Sequence, residues 1–384
     1  MDRKRRVLFV TERRADYSRL KPIMELVKKS PKLKLQLVIT GVHLLKLFGE
    51  TKRALEADGF HADKEIPVFR ASDKDDGATM ARAFGQFVLK LTDAIEELKP
   101  DIIFCGFDLG AHLAAALVGA HLNIPVAHIQ GGERSGTIDE MLRHATTKFA
   151  QLHFVATKES RERVIKLGED PNYVFLVGSP SVDTIKSIPY ESRVKAFSRY
   201  GLDPKKPLIV FLQHPVTTEE EDVERQIRES IEALKKVEKR HGAQVFSIYS
   251  NNDAGGKRIV AYLKRSGFRV EPHLPYEDFL RLLKVADVLV GNSSTGIHEA
   301  PSFGLPTVNV GTRQQFRERG VNVLDVPNER RAILQAIGRA LTDTKLKIRI
   351  KKGKNPYEHG NTARQVVRVL ERVKLPSVQK VLRY

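Results

Sequence analysis

Residues 6–40, RVLFVTERRADYSRLKPIMELVKKSPKLKLQLVIT, decide the fold. Residues 6–11 and 34–40 are runs of β-branched and other apolar side chains, the pattern of strands buried in a sheet. Between them a polar turn leads into apolar positions at helical spacing over about residues 17–29, so the stretch reads as a β-α-β unit. The same alternation continues outward. Residues 101–105, 126–129, 153–156 and 174–177 are strand-like, and residues 110–122, 137–151 and 158–168 have helical spacing. Strands alternating with helices predict a parallel sheet covered on both faces.

A loop-rich, polar stretch near residues 188–206, marked by Pro189, Gly201, Asp203 and Pro204, separates this series from a second. There the predicted strands are 208–212, 244–249, 269–271, 288–290 and 307–310, and the predicted helices about 219–240, 255–266, 276–285 and 295–303. The expected class is α/β, with two Rossmann-like domains, residues 1–189 and 190–361, facing a central cleft. A last helix near 362–373, within the segment 362–384, is expected to cross back to the first domain. Open parallel sheets bind ligands outside their carboxyl strand ends, which places a ligand between the domains.

Composition narrows the chemistry. The 384 residues fit two domains at roughly 100–200 residues each, and 41% hydrophobic with 29% charged residues is globular rather than disordered. One cysteine, Cys105, permits neither an intrachain disulfide nor a multi-cysteine zinc cage and suits a reducing, cytoplasmic setting. No apolar run approaches the roughly 20 residues that cross a bilayer. The formal charge of +18 is spread along the chain, with local excesses at 3–6 and 345–354. Without an aromatic-interleaved basic stripe, a charged surface is a better reading than a nucleic-acid footprint.

Three strand-end loops could carry chemistry. Thr11-Glu12-Arg13-Arg14-Ala15-Asp16-Tyr17 enters a helix, where backbone N–H groups beside an arginine favour an anion such as a diphosphate; an ordinary capped helix start is the bland alternative. Residues 291–299, GNSSTGIHE, offer small hydroxyl side chains, two glycines (Gly291 and Gly296) and a glutamate, suited to phosphate and ribose, or simply to a helix cap. Neither a Walker sequence nor GxGxxG occurs. Residues 128–144, HIQGGERSGTIDEMLRH, bring Asp139 and Glu140 to the cleft, where they could move protons or merely satisfy a helix dipole. Asp108 and His214 stand at corresponding strand ends.

Six blocks, TERRADYSRLKPIM (11–24), TGVHLLKLFGET (40–51), IPVAHIQGGERSGTIDEMLRHATTK (124–148), FLQHPVTTEE (211–220), VGNSSTGIHEAPSFGLPTVNVGTRQ (290–314) and NPYEHGNTARQVV (355–367), occur in the order found in the UDP-N-acetylglucosamine 2-epimerase family. The chain resembles that family over about residues 6–373, with its hydrolysing, sialic-acid-pathway branch the nearer match. The resemblance implies a glycosyltransferase B-type fold with UDP in the cleft, and neither metal nor nicotinamide cofactor. It also implies a class of chemistry: the C2 proton and UDP leave to give a 2-acetamidoglucal, and water then adds with the opposite C2 configuration, giving N-acetylmannosamine. Non-hydrolysing relatives return UDP instead, and a UDP-sugar-binding homologue without catalysis is a further alternative.

Carried over, Arg14 and His214 meet the phosphates, Ser293 and Ser294 hold the diphosphate, Glu299 binds ribose, and Arg313 lies near the sugar or phosphates. Asp108 and Asp139 match the acid/base carboxylates, Glu140 and Arg143 neighbours that shape the sugar site, and Gly41 and His43 a turn beside the sugar. The implied partners are a UDP-sugar and further copies of the chain, as dimer or tetramer. Four positions depart from the family pattern. Gln130 replaces a glutamate and cannot transfer a proton at neutral pH. Leu109 replaces an arginine, Phe316 stands where glycine is usual, and Glu12 enters the first phosphate loop, where it would repel a diphosphate.

Overall fold

The first β-α-β unit forms as its pattern predicts. Strand β1 (Arg5–Thr11) pairs in parallel with β2 (Leu33–Thr40), and the helix Arg14–Lys29 joins them. The computed structural model describes residues 3–46 and 51–381; residues 47–50 of the second motif block therefore lie outside the described residues. Within β1 successive side chains serve opposite faces. Val7 and Phe9 pack with Leu20, Ile23 and Val27 of the following helix, while Leu8 and Val10 pack with Phe87, Leu91 and Ala114. Both faces are thus covered, which is why the strand lacks polar alternation.

The remaining strands of this sheet are β3 (Lys64–Ile66), β4 (Ile102–Gly106), β5 (Val126–Ile129), β6 (Leu152–Val155) and β7 (Val174–Leu176). Their order is β3-β2-β1-β4-β5-β6-β7, all parallel. A second parallel sheet repeats the plan with β8 (Leu208–Leu212), β9 (Gln244–Ile248), β10 (Arg269–Glu271), β11 (Val288–Gly291), β12 (Thr307–Val310) and β13 (Val323–Val326). Its order is β10-β9-β8-β11-β12-β13. In β8, Ile209 and Phe211 join one cluster and Val210 and Leu212 the other. Strand order reverses between β1 and β4 and again between β8 and β11, and each reversal opens a crevice at the carboxyl strand ends. This is the two-domain arrangement of the glycosyltransferase B type.

Several elements differ from the sequence reading. The edge strands β3 and β13 went unread because at three and four residues they carry little pattern. The helix Gly77–Leu98 was also missed, as were Arg330–Thr342 and Thr344–Lys352, and a short helix, Arg193–Ser198, interrupts the stretch read as loop. Residues 295–303 form two pieces, Thr295–His298 and Ala300–Phe303, because Pro301 has no N–H to continue the ladder. The first helix begins at Arg14 instead of about residue 17. Asp16 accepts from the backbone N–H groups of Glu12 (2.8 Å) and Arg13 (2.9 Å) and so caps its own helix one turn early. Arg14 consequently occupies the first helical turn. Helix Thr362–Arg372 packs through Ala363, Val366 and Leu370 into the first domain's core. Among the described residues no helix is long and apolar enough to cross a membrane.

Candidate active site

The two crevices face each other across a cavity of about 810 Å³. Loops after β1, β4 and β5 supply Arg14, Asp108 and Asp139 from one side. Loops after β8, β11 and β12 supply His214, Ser293, Ser294, Glu299 and Arg313 from the other, and all eight line the cavity. Strand-end loops can converge in this way because the sheets beneath them are rigid and their backbone groups are already paired.

The anion end is built around Arg14. Its guanidinium donates to His273 Nδ1 (3.2 Å) and the Tyr249 carbonyl (3.4 Å), and among the described residues it has no carboxylate partner. Burial pulls its pKa down from 12.5 to about 10, the mark of a cation short of countercharge. Arg13 is the contrast. It is paired with Asp253 (3.2 Å) and Glu12 (3.4 Å), and those carboxylates overcome burial to raise its pKa.

His214 stands beside Arg14 in the cavity wall. Asn292 holds its backbone at both ends, accepting from the His214 N–H (2.6 Å) and donating to its carbonyl (2.8 Å). The ring's Nδ1 accepts from the Asn251 N–H (3.1 Å), which leaves the proton on Nε2. Burial, then Arg313, Arg14 and Arg13, keep the ring neutral by pushing its pKa well down. A neutral N–H donor among arginines suits a phosphate oxygen.

Elsewhere on the cavity wall, Arg19 donates to Ser294 Oγ (3.3 Å) and Glu299 Oε1 (3.5 Å), and Tyr276 OH also donates to Oε1 (3.5 Å). Glu299 Oε2 is buried with no partner among the described residues. An orphaned carboxylate oxygen at a cavity wall calls for a hydroxyl donor.

The two aspartates are unlike. Asp108 pairs with Arg143 and lies 3.6 Å from Arg317. Burial favours its neutral form, but Arg143, Arg317 and Arg313 outweigh burial and hold its pKa below the usual range. Among the described residues the Asp139 carboxylate accepts from Arg313 alone (3.3 Å), and burial followed by the charge on Asp108 raises its pKa. Two carboxyls at the same cavity whose surroundings push one pKa down and the other up are what separate base and acid roles require.

The other six sequence candidates do not line the cavity. His43 is fully buried and its two ring nitrogens bond Thr11 Oγ1 (2.9 Å) and Thr51 Oγ1 (2.6 Å). Gly41 is needed for its left-handed backbone (φ 60°) and for close approach to Glu12, whose Cγ would lie 2.4 Å from an added Cβ. Gly296 likewise packs against Thr307, leaving 2.4 Å for a Cβ. Gln130 donates to Glu133 Oε1 (2.8 Å) and bonds His298 Nδ1 (3.2 Å) inside a buried network behind the carboxylates. Glu140 accepts from His144 (3.1 Å) and the Ser135 N–H. Arg143 is buried beneath Asp108, donating also to the Glu133 carbonyl (2.9 Å), and so positions that carboxylate. Glu12 does not threaten a diphosphate, since its carboxylate is turned to Arg13 and the Ala111 N–H (3.2 Å).

Sequence reasoning passed over Arg19, Tyr276, His273, Asn251, Asn292 and Arg317. Only Arg317 left a signal, as a further cation in the run 313–319, RQQFRER. It reaches Glu133 Oε2 (3.5 Å), which also bonds His298 Nε2 (3.0 Å).

A family model described as UDP-N-acetylglucosamine 2-epimerase matches residues 25–371. A Legionella pneumophila protein named UDP-N,N'-diacetylbacillosamine 2-epimerase (hydrolyzing) is 37% identical over 377 residues, 97% of each chain. A Campylobacter jejuni protein named GDP/UDP-N,N'-diacetylbacillosamine 2-epimerase (hydrolyzing) is 30% identical over 329 residues, 84% of each chain. In fold, the structure of Neisseria meningitidis UDP-GlcNAc 2-epimerase bound to UDP-GlcNAc superposes with a TM-score of 0.77 at 19% identity, covering 95% of this chain and 99% of that one. With the family model spanning most of its length, this chain belongs to the UDP-N-acetylglucosamine 2-epimerase family.

Proposed function

We propose that the protein is a hydrolysing 2-epimerase of a UDP-linked 2-acetamido sugar. The observation that carries this reading is a half-buried Arg14, without a carboxylate partner among the described residues, beside the neutral donor His214 and facing the unequal pair Asp108 and Asp139 across one cavity. The diphosphate lodges against Arg14 and His214 with the Ser293 and Ser294 hydroxyls, and ribose donates to Glu299. This puts the hexose at the aspartates.

The C2 proton is weakly acidic, so departure of UDP must lead or accompany its loss, and cations around the diphosphate lower the barrier by stabilising the leaving charge. Asp108, ionised, takes the C2 proton as the C1–O bond breaks and its electron pair leaves with UDP, giving the 2-acetamidoglucal. Asp139, protonated, returns a proton to the opposite face of C2 while water adds its hydroxide at C1. Asp108 then releases its proton to solvent and Asp139 regains one from water. Arg143 and Arg317 position Asp108, and Arg313 faces Asp139.

The hydrolysing outcome is supported by the names of the Legionella and Campylobacter relatives. Their sugar, diacetylbacillosamine, bears on the finer choice of substrate. Phe107 and Leu109, either side of Asp108, line the cavity and present no hydrogen-bonding side chain. An apolar wall where the family pattern has an arginine favours a deoxygenated sugar over UDP-N-acetylglucosamine. The proposal takes residues 1–189 and 190–361 as the domains and 362–384 as a return crossing. It sets the enzyme in a reducing cytoplasm, in keeping with its one buried thiol, Cys105. It also takes the working form as a homo-oligomer, for which Leu89, exposed on Gly77–Leu98, is a candidate contact.

The test is incubation with each nucleotide sugar in deuterated water, followed by NMR of the products. Free UDP together with a 2-epimerised sugar deuterated at C2 supports the proposal. Deuterated nucleotide sugar without UDP release supports the non-hydrolysing alternative, and UDP binding without exchange supports a homologue that has lost catalysis.

A further inference from the structure

Among the described residues five non-glycine residues have left-handed backbones, and three of them flank the proposed site: Phe107 before Asp108, Gln130 in the network behind it, and Phe316 before Arg317. Such conformations are disfavoured for a residue with a Cβ and persist where the surroundings compensate. Phe107 and Gln130 are buried and held by packing or hydrogen bonds. Phe316 is different, because it combines φ 66° with a ring that is 55% exposed. Neither backbone preference nor burial accounts for a phenylalanine there, and glycine would satisfy both.

What the ring does touch lies in the other domain. The Arg134 guanidinium sits over it at 4.5 Å from the centroid. Around this contact the loop after β5 and the loop after β12 are stitched together. The Gly136 N–H donates to the Arg313 carbonyl (3.1 Å), and Arg317 Nε donates to the Arg134 carbonyl (3.3 Å). An added Cβ on Gly136 would lie 2.0 Å from the Thr312 carbonyl oxygen, so the two backbones meet directly. The same two loops carry Asp139 and Arg313, and Arg317 reaches Asp108 and Glu133 from the second.

We propose that Phe316 is a positioning residue that clasps Arg134 across the cleft, holding the two domains closed on the nucleotide. This rests on the proposed UDP site. The left-handed backbone at 316 is tolerated because only a side chain with a π face can close this contact. Opening the clasp lets nucleotide escape without altering any group that touches it.

The test compares Phe316→Gly, Phe316→Trp and Arg134→Gln with wild type, measuring UDP affinity by calorimetry, steady-state constants and melting temperature. For Phe316→Gly the expected result is a two- to fivefold rise in the UDP dissociation constant and in KM, the range of an exposed cation–π contact, with kcat not lowered. Its melting temperature stays within about 2 °C of wild type, since glycine relieves the backbone as the clasp is lost. Phe316→Trp keeps wild-type affinity, and Arg134→Gln reproduces the glycine variant with no further loss when the two are combined. UDP affinity unchanged in Phe316→Gly, or Phe316→Trp impaired as much as glycine, overturns the clasp. Failure of wild type to bind UDP at all overturns the nucleotide site itself, so the two failures are distinct.

Discussion

Replacing Arg14 with glutamine should move stability and ligand affinity in opposite directions. Arg14 carries a half-buried charge with, among the described residues, no carboxylate to balance it, and its pKa of about 10 against an ordinary 12.5 measures the burden on the charged form. The sign follows from linkage. A base whose folded pKa is depressed is penalised in its protonated form, so the penalty is fully present at neutral pH, below the folded value. Taken at face value that burden is on the order of 3 kcal/mol, and partial exposure of the side chain reduces it to about 1–2 kcal/mol. Glutamine gives up the bonds to His273 and Tyr249, worth about 1 kcal/mol. The ligand-free variant should therefore melt at or slightly above the wild-type temperature. Binding behaves in the reverse way. A charge-assisted hydrogen bond to a phosphate contributes about 1.5–3 kcal/mol, so UDP affinity should fall roughly 10- to 150-fold. Calorimetric titration with UDP and thermal melts with and without the nucleotide measure both quantities on one preparation. UDP affinity within twofold of wild type, or a ligand-free melting temperature lowered by several degrees, would refute the assignment of Arg14 as an unneutralised anion anchor.

The aspartates should separate by product. Asp108→Asn should bind UDP with affinity within a few-fold of wild type and release none from nucleotide sugar, whereas Asp139→Asn should still eliminate UDP and leave the 2-acetamidoglucal, visible by mass spectrometry. The pH profile of kcat/KM follows from the same pair. Activity should fall in acid only as Asp108 protonates, below the ordinary aspartate range, and fall again on the alkaline side as Asp139 loses its proton above that range. Glu299→Ala should weaken UDP about 5- to 30-fold, from loss of roughly 1–2 kcal/mol of ribose hydrogen bonding, and weaken 2′,3′-dideoxyuridine diphosphate much less. Leu109→Arg should shift the kcat/KM ratio by about tenfold or more toward UDP-N-acetylglucosamine and away from the deoxygenated sugar, read by competition between the two.

The sequence was most informative where burial enforces a pattern. Strand β1 is apolar throughout because helices cover both its faces, and the pattern of β8 repeats that logic in the second domain. Edge strands and amphipathic surface helices carry weaker signals, which is why β3, β13 and Gly77–Leu98 were not recognised. The strand-end motifs led to Arg14, His214, Ser293, Ser294, Glu299, Arg313 and both aspartates. Glycines misled, because a sequence cannot tell whether backbone approaches a ligand or another strand: Gly41 meets Glu12 and Gly296 meets Thr307. His43 misled for a related reason, since a histidine near a strand end can be satisfied by two threonines as readily as by a substrate. Arg19 and Asn292 gave no signal because their roles exist only once residues far apart in the chain meet, as Arg19 does with Ser294 and Glu299. Even the departures at Glu12 and Phe316 acquire meaning only from geometry, one carboxylate turned away from the cavity and one ring turned toward the opposite domain.

A crystal structure of the Asp108→Asn variant with bound nucleotide sugar tests the account most directly. It predicts the diphosphate on Arg14 and His214, ribose on Glu299, and C2 of the hexose between residues 108 and 139, one on each face of the ring. A nucleotide bound elsewhere, or a hexose with both side chains on the same face, would contradict it.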